Sequence, residues 1–402
     1  MYPCTVCKGR HCKRYYGTDF CPVRTKAASI ARAKAYSVSI PNDFTTRIPS
    51  TFVSRFGYPD VSLGVVHPIA PTNISYMPNT IVRKNNIPME QVIDSRMGML
   101  SLQRKSNVRR IDNNSIVVQH AALSARPAML DVSLLSKPKF SFSIEPNTPP
   151  FGGRAVLGSV KESANISIDK VAGKVYYDTD LKSVDAIRLL SGRFDEQKIS
   201  EMLSAGTMGV GVNRRLVPTR WSITATDDII GKQYIGSIRN HDVIESPLLF
   251  TGSFYGNYYY IMLLPYAYSY ELFECYMPSN SIMHDCEIGS HRTGYAYDTA
   301  GGYYAARLGI LEYLNTNNMQ SSILALRLIG KEYNTPLGVW VVREAVRKTI
   351  NSSPICFDNN KTMLKYVIAH AMKHHSFDIA NMINDSVVLD IMGRQRTLRE
   401  YG

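Results

Sequence analysis

The sequence predicts an α+β fold: a mixed or antiparallel sheet with packed helices, plus a small cysteine knuckle at the N-terminus. Three observations lead there. Stretches with strand character and stretches with helical spacing are intermixed, without the regular strand–helix–strand repetition of a parallel α/β protein. Of 402 residues 45% are hydrophobic and 20% charged, which suits a globular chain with a sizeable core and two or three domains. Four of the seven cysteines crowd into Met1–Arg24.

Those cysteines, Cys4, Cys7, Cys12 and Cys21, follow the spacing C-x2-C-x4-C-x8-C. A C-x2-C turn brings two sulfurs onto one metal, and a second pair completes a tetrahedral Zn²⁺ shell. His11 and Asp19 are alternative ligands, so the fourth position is less defined than the first pair. A disulfide pair or four free thiols are the plainer alternatives. Zn²⁺ is favoured because a short segment poor in apolar residues needs a staple to fold. A thioredoxin-like redox pair is disfavoured, since no βαβ pattern surrounds it. Residues 1–26 are therefore expected to form a zinc-binding knuckle.

Residues 27–150 follow as a basic α+β region. Ala27–Tyr36 reads as a short helix. Residues 39–68 read as short strands broken by Pro, Ser and Gly. Arg55 and Tyr58 flank Gly57, where either a ligand approaches the backbone or an ordinary hairpin turn sits. Met89–Met97 and Val117–Ser124 look helical, and prolines then cluster towards a soft boundary near 150.

The C-terminal α+β region spans 151–385. Lys174–Tyr177 reads as a strand. Asp180 is expected to cap a helix with Leu181, Val184, Ile187 and Leu190 on one face, and Asp195 to cap another through Leu203, stopped by Gly206. Trp221, Ile223 and Ala225 alternate with polar residues, as in a strand with one wet face. Asn257–Tyr266 and Tyr268–Met277 read as two antiparallel strands. Gly301–Gly302 precede a helix over Tyr303–Leu314, and Ile323–Ile329 reads as a buried strand. Thr335–Pro336 reads as a helix start running to Ile350. Met363–His374 is a further helix.

The net charge is +13. A balance this basic points to a polyanionic partner, nucleic acid first and an acidic membrane second, with a solvated basic surface as the plainer alternative. The excess concentrates in residues 1–35 and 83–110. Lys8, Arg10, Lys13, Arg14, Arg109 and Arg110 are the candidate DNA contacts. No apolar run is long enough for a membrane span, and no apolar signal-peptide core opens the chain. An intracellular, cytoplasmic and nucleoid-associated protein is expected, with Cys275, Cys286 and Cys356 reduced.

Candidate chemistry lies in the second half. His284, Asp285, Cys286, Glu287, His291 and Arg292 sit close together, and His284, Asp285 and His291 are the acid/base candidates. A polar surface loop is the alternative. Gly301 and Gly302 ahead of a helix suit a phosphate, with Arg220, Arg307 and Arg343 as partners and Trp221 or Trp340 to stack a base. The alternative is core packing for the tryptophans and ion pairs for the arginines. His370 and His374 have the i,i+4 spacing of a metal pair, or of an ordinary helix surface. No Walker loop, nucleophile elbow or Rossmann fingerprint appears.

Several stretches resemble the archaeal Nre family of DNA repair proteins: the CxxCKGR…CP knuckle, RFGYPDVSLGVVHP (55–68), LSAGTMGVGVNRRLVPTRWSITATDD (203–228), GGYYAARLGILEYL (301–314) and PLGVWVVREAVR (336–347). The resemblance implies a role in DNA repair, a zinc-binding N-terminus and a C-terminal motif that binds the DNA sliding clamp. In the tail, residues 386–402, which is expected to be flexible, Gln395, Leu398 and Tyr401 match such a motif. Gly402 stands where a second aromatic belongs. One helical turn would place Leu398 and Tyr401 on one side as plugs for a hydrophobic pocket. The resulting expectation is a DNA repair factor that binds DNA, is recruited to the clamp and meets other repair proteins. The alternative is an enzyme acting on a nucleotide or a damaged DNA end through a phosphate pocket in the C-terminal region.

Overall fold

A computed structural model of the chain describes residues 12–69, 73–143 and 149–394. It divides into two compact units. The first comprises Met1–Lys13, Asp19–Ile230 and Thr335–Leu337; the second comprises Arg14–Thr18, Gly231–Asn334 and Gly338–Gly402. The fold is α+β with mixed sheets and packed helices. Among the described residues no helix is long and apolar enough to cross a membrane.

In the first unit, the expected helix after the knuckle runs Pro22–Ser37, and the Cys21 sulfur accepts from the Arg24 N–H at 3.5 Å. Six strands follow: β1 (Asp43–Ile48), β2 (Thr51–Val53), β3 (Asp60–Pro68), β4 (Met99–Asn107), β5 (Ala128–Leu134) and β6 (Gly153–Glu162). Their order is β1-β5-β6-β4-β3-β2. Every neighbouring pair is antiparallel except β4–β6. Residue 150 lies between two strands of this sheet, so the proline-rich stretch interrupts the unit without ending it. Burial alternates along β5, which leaves one face apolar and the other wet. Leu130, Val132 and Leu134 pack with Leu63, Leu100 and Leu102, and with Val118 of the Asn113–Leu123 helix. Asp112 caps that helix through the Ser115 N–H at 2.9 Å. On β3, His67 is half-buried, with Nδ1 2.6 Å from the Thr46 hydroxyl and its ring 5.0 Å from Phe44.

Three readings in this unit are corrected. Lys174–Tyr177 is not a strand: it ends a helix, Lys170–Tyr177, capped by Asp169 on the Val171 N–H at 2.8 Å. Tertiary packing of Ala172 and Val175 outweighs the strand preference of Val-Tyr-Tyr. The Arg214 guanidinium closes its far end, donating to the carbonyls of Val175, Tyr176 and Asp178. The next helix spans Ser183–Ser191 with no side-chain cap, while Asp178, rather than Asp180, accepts the N–H groups of Asp180 and Leu181. The third correction is the Trp221 strand, which is the start of a helix, Thr219–Ile238. Alternation over five residues fits a helix turn as well as a strand, and Pro218 opens the helix by accepting the Trp221 N–H at 2.8 Å. Asp195 does cap its helix, Glu196–Ser204, through the Lys198 N–H at 2.8 Å.

The second unit holds β7 (Asp242–Val243), β8 (Leu248–Phe254), β9 (Asn257–Leu264), β10 (Ser269–Tyr276), β11 (Ser281–Ile288), β12 (Met319–Gln320), β13 (Ser322–Ile329) and β14 (Ile355–Cys356). Six form a sheet in the order β11-β10-β13-β9-β8-β14, and β7 pairs with β12 apart from it. β9 and β10 are therefore not partners. β13 lies between them, parallel to β10 and antiparallel to β9. Helix Ala300–Thr316 supplies the long connection that a parallel pair requires. β13 is buried along almost its whole length, as its apolar run predicts for a strand covered on both faces. On one face Phe273, Leu324 and Leu326 pack against Met363 and Val367 of the Asn360–His375 helix, and against Val388 and Met392 of a helix over Val387–Arg394. Residues 387–394, expected at the start of a flexible tail, are thus helical, with an apolar face turned inwards. The Thr335–Pro336 helix begins later than expected, at Trp340, because Gly338 at φ +98° breaks the helical path.

Candidate functional site

The acid/base candidates on β11 divide between the two faces of the strand. Asp285 and Glu287 face the Ala300–Thr316 helix. Both Glu287 oxygens accept from Arg307 Nη1, at 3.1 and 2.8 Å, and Glu287 also accepts from the Tyr268 hydroxyl and from the Arg292 N–H. The side chains of Arg307 and Glu287 are 0% and 1% exposed. Burial and the Glu287 charge hold the Tyr268 hydroxyl well above its usual pKa. Asp285 accepts from Arg292 Nη1 at 2.6 Å and from the Thr299 N–H and hydroxyl at 2.9 Å. Burial alone would raise its pKa, but these donors together outweigh it and hold the carboxyl below the usual range.

His284 points to the other face. It stacks on Phe273 at 4.3 Å, with Nε2 2.6 Å from Glu271. Glu271, fully buried, also accepts from the Ser386 hydroxyl and from the N–H groups of Val387 and Val388. It caps the Val387–Arg394 helix from the sheet. Burial, then the nearby Glu271 charge, raise the Cys286 thiol pKa, so it is a poor nucleophile. His291 is exposed beyond β11. The carboxylates of this cluster are engaged by the chain's own donors, which makes the cluster a support for β11 and the helix beneath it.

Gly301 and Gly302 lie in the first turn of Ala300–Thr316. A Cβ on Gly302 would sit 2.3 Å from Glu274 Oε1, and Glu274 is paired with Arg327 at 2.6 Å. The negative charge that this helix start favours is supplied by Glu274 and Asp285. Arg343 is buried on Trp340–Ile350, and Trp340 packs edge-on against Phe254 and Tyr255 at 6.3 Å. His370 and His374 stack at 4.1 Å, with His370 Nδ1 3.0 Å from the Tyr260 hydroxyl.

Arg220 and Trp221 belong to the first unit, where a different arrangement appears. The turn between β2 and β3 carries Arg55, Phe56, Gly57 and Tyr58, all exposed. Phe56 is 72% exposed, with the Arg55 guanidinium 5.0 Å from its ring centre. Tyr58 and Trp221, 45% and 46% exposed, lie 5.2 Å apart and tilted by 52°. Gly57 at φ +85° makes the turn, its carbonyl accepting from the Asp60 N–H at 2.8 Å. Long-range bonds pin this surface: Val108 N–H to the Pro59 carbonyl at 3.0 Å, Leu216 N–H to Val108 at 2.9 Å, and Val53 N–H to the Thr219 hydroxyl at 2.8 Å. The Lys105 ammonium is 3.6 Å from where a Gly57 Cβ would stand. Arg109, Arg110 and Arg220 are exposed on the segments so joined. The nearby Asp60 carboxylate is bonded to the Asn107 amide at 2.8 Å. Sequence reasoning found Trp221 and the two arginines at 109 and 110 but missed Phe56 and the Tyr58–Trp221 pairing. The signal was the aromatic-Gly-aromatic string Phe56–Tyr58.

At the N-terminus, Cys12 and Cys21 are both buried. Lys13 is exposed and 3.7 Å from Asp19, and Arg14 is exposed over the Tyr15 ring. Cys4, Cys7, Lys8, Arg10 and the tail residues Gln395, Leu398 and Tyr401 lie outside the described residues. Among the described residues no group of three or more His, Cys, Asp or Glu is placed to hold a metal.

Residues 15–282 match the family model described as Archaeal Nre, N-terminal, and residues 287–401 match that described as Archaeal Nre, C-terminal. The chain is 34% identical over 358 residues to DNA repair protein NreB of Archaeoglobus fulgidus, covering 86% of this chain and 88% of that protein. It is 31% identical over 312 residues to DNA repair protein NreA of Haloferax volcanii, covering 73% of this chain and 74% of that one. No solved structure matches the chain.

Proposed function

We propose that this chain, which belongs to the archaeal Nre family, is a DNA repair factor that binds DNA and is recruited to the sliding clamp by its C-terminal motif. The relatives' names support the repair role. The observation that carries DNA binding is the first-unit surface, where exposed rings stand among exposed cations on a chain of net charge +13. Phosphate contacts release counterions, so the affinity for DNA is expected to fall steeply and log-linearly with salt. A flat salt response in a binding titration would remove this part of the reading.

Clamp recruitment rests on Gln395, Leu398 and Tyr401. Two apolar plugs in one pocket behave as hot spots, each contributing about 2 kcal/mol. Pull-down on the clamp is expected to fail for a Leu398→Ala, Tyr401→Ala variant at concentrations that retain the wild type. Equal retention would end the docking claim.

The four N-terminal cysteines would hold Zn²⁺, and the two that are described, Cys12 and Cys21, are both buried, as ligands of an enclosed structural ion would be. The ion would supply folding rather than chemistry, because four thiolates leave no open position. It would direct Lys8, Arg10, Lys13 and Arg14 towards a polyanion. Chelation is expected to weaken DNA binding roughly ten-fold, as for the loss of one or two phosphate contacts, with clamp pull-down unchanged. Loss of both together would mean that the knuckle supports the whole fold.

A further inference from the structure

We propose that Phe56, Tyr58 and Trp221 form a stacking platform for unpaired bases, so that the DNA this protein holds is single-stranded at the first unit. The inference deepens the DNA-binding reading and rests on it. In an intact duplex the base faces are covered by their neighbours, and only edges and backbone remain to be touched. A surface that reads duplex edges presents hydrogen-bonding side chains. This one presents three rings, between 45% and 72% exposed, on a pinned turn and the first turn of a helix. Aromatic faces that cost water contact in the free protein are suited to the faces of extruded or single-stranded bases.

The geometry narrows how a strand would lie. Tyr58 and Trp221 are only 5.2 Å apart, too close to admit a base between them, so they act as one composite surface that a base covers from outside. Phe56 offers a second surface two residues away, with Arg55 over its ring. Lys105 stands beside the Gly57 turn between the two, where a backbone phosphate linking the stacked bases would need a cation. Arg109 and Arg110 extend the positive border. Asp60, the carboxylate that opens β3 beside the turn, is engaged by Asn107. The Val53–Thr219 and Val108–Pro59 bonds hold the platform before any ligand arrives, so little ordering remains to oppose binding.

The protein carries a built-in reporter. It has two tryptophans, and Trp340 is 7% exposed in the second unit whereas Trp221 is open. An oligodeoxythymidylate is expected to quench part of the intrinsic fluorescence, and a duplex of equal length to quench little. Trp221→Phe should abolish the quench while keeping a ring in place. Phe56→Ala and Trp221→Ala, both at exposed positions, should each weaken the single strand roughly ten-fold and change duplex affinity less than about two-fold. Lys105→Ala should weaken both ligands and lower the salt slope by about one. Duplex bound as tightly as the single strand, with no Trp221 quench and no effect of Phe56→Ala, overturns the platform and leaves DNA binding standing. Binding of neither ligand overturns the DNA-binding reading itself.

Discussion

Replacing Glu287 by alanine is expected to cost the second unit about 3–5 kcal/mol, the range for breaking a buried ion pair from one side. The size follows from what is left behind. Arg307, fully buried, would lose the carboxylate that accepts twice from its Nη1, and the buried Tyr268 hydroxyl would lose its acceptor. Neither group can turn to water, so the desolvation already incurred is no longer offset. The measurement is a chemical denaturation midpoint, together with hydrogen exchange of the β10 and β11 amides. A control separates charge from packing: Glu287→Leu combined with Arg307→Met removes both charges and should recover much of the loss. A single-variant cost below about 1 kcal/mol would show that water reaches the pair.

Acidification is expected to weaken the first unit between about pH 6.5 and pH 4 through His67. Burial lowers its pKa from 6.5 to about 4. Within that window the unfolded chain takes a proton on this residue and the native chain does not. Native stability is therefore full above about pH 6.5 and falls with falling pH, at up to ~1.4 kcal/mol per unit and at most about 3 kcal/mol in all. Below pH 4 both states are protonated and this residue adds nothing further. His67→Gln, which keeps a partner for the Thr46 hydroxyl, should flatten the stability profile across the window. An unchanged slope would assign the acid sensitivity to other groups.

The sequence made some of this legible and hid the rest for physical reasons. Apolar continuity marked β13 as buried, but nothing local indicated that Arg327 within it would be buried against Glu274, 53 residues away. The β9 and β10 strands were both visible. Their separation by β13 was not, because strand order is decided by a chain that returns after a helix. Val-Tyr-Tyr at 175–177 and Trp-Ser-Ile-Thr-Ala at 221–225 carry strand preferences that helix packing overrides. The same limit applies to the surface proposed for DNA. Trp221 was a stacking candidate alongside Trp340, but its neighbour Tyr58 comes from a turn held to it by long-range bonds such as that of the Thr219 hydroxyl with Val53, 166 residues away. Glu287 and Asp285 looked chemical in sequence because carboxylates and histidines crowd together there. Their donors come from Arg292, Thr299 and Arg307 further along, and quiet them.

Glu271 has a mechanical consequence. The helix that leads to the C-terminus begins on this carboxylate, held by the N–H groups of Val387 and Val388 and by the Ser386 hydroxyl, while Glu271 itself belongs to β10 in the sheet. A pull on the chain beyond Arg394 would unwind the helix from its far end, and the Glu271 bonds, grouped at its first turn, would be the last to bear load, so they fix the point at which such unwinding stops. The last helix works as an anchorage, and Glu271 is the bolt.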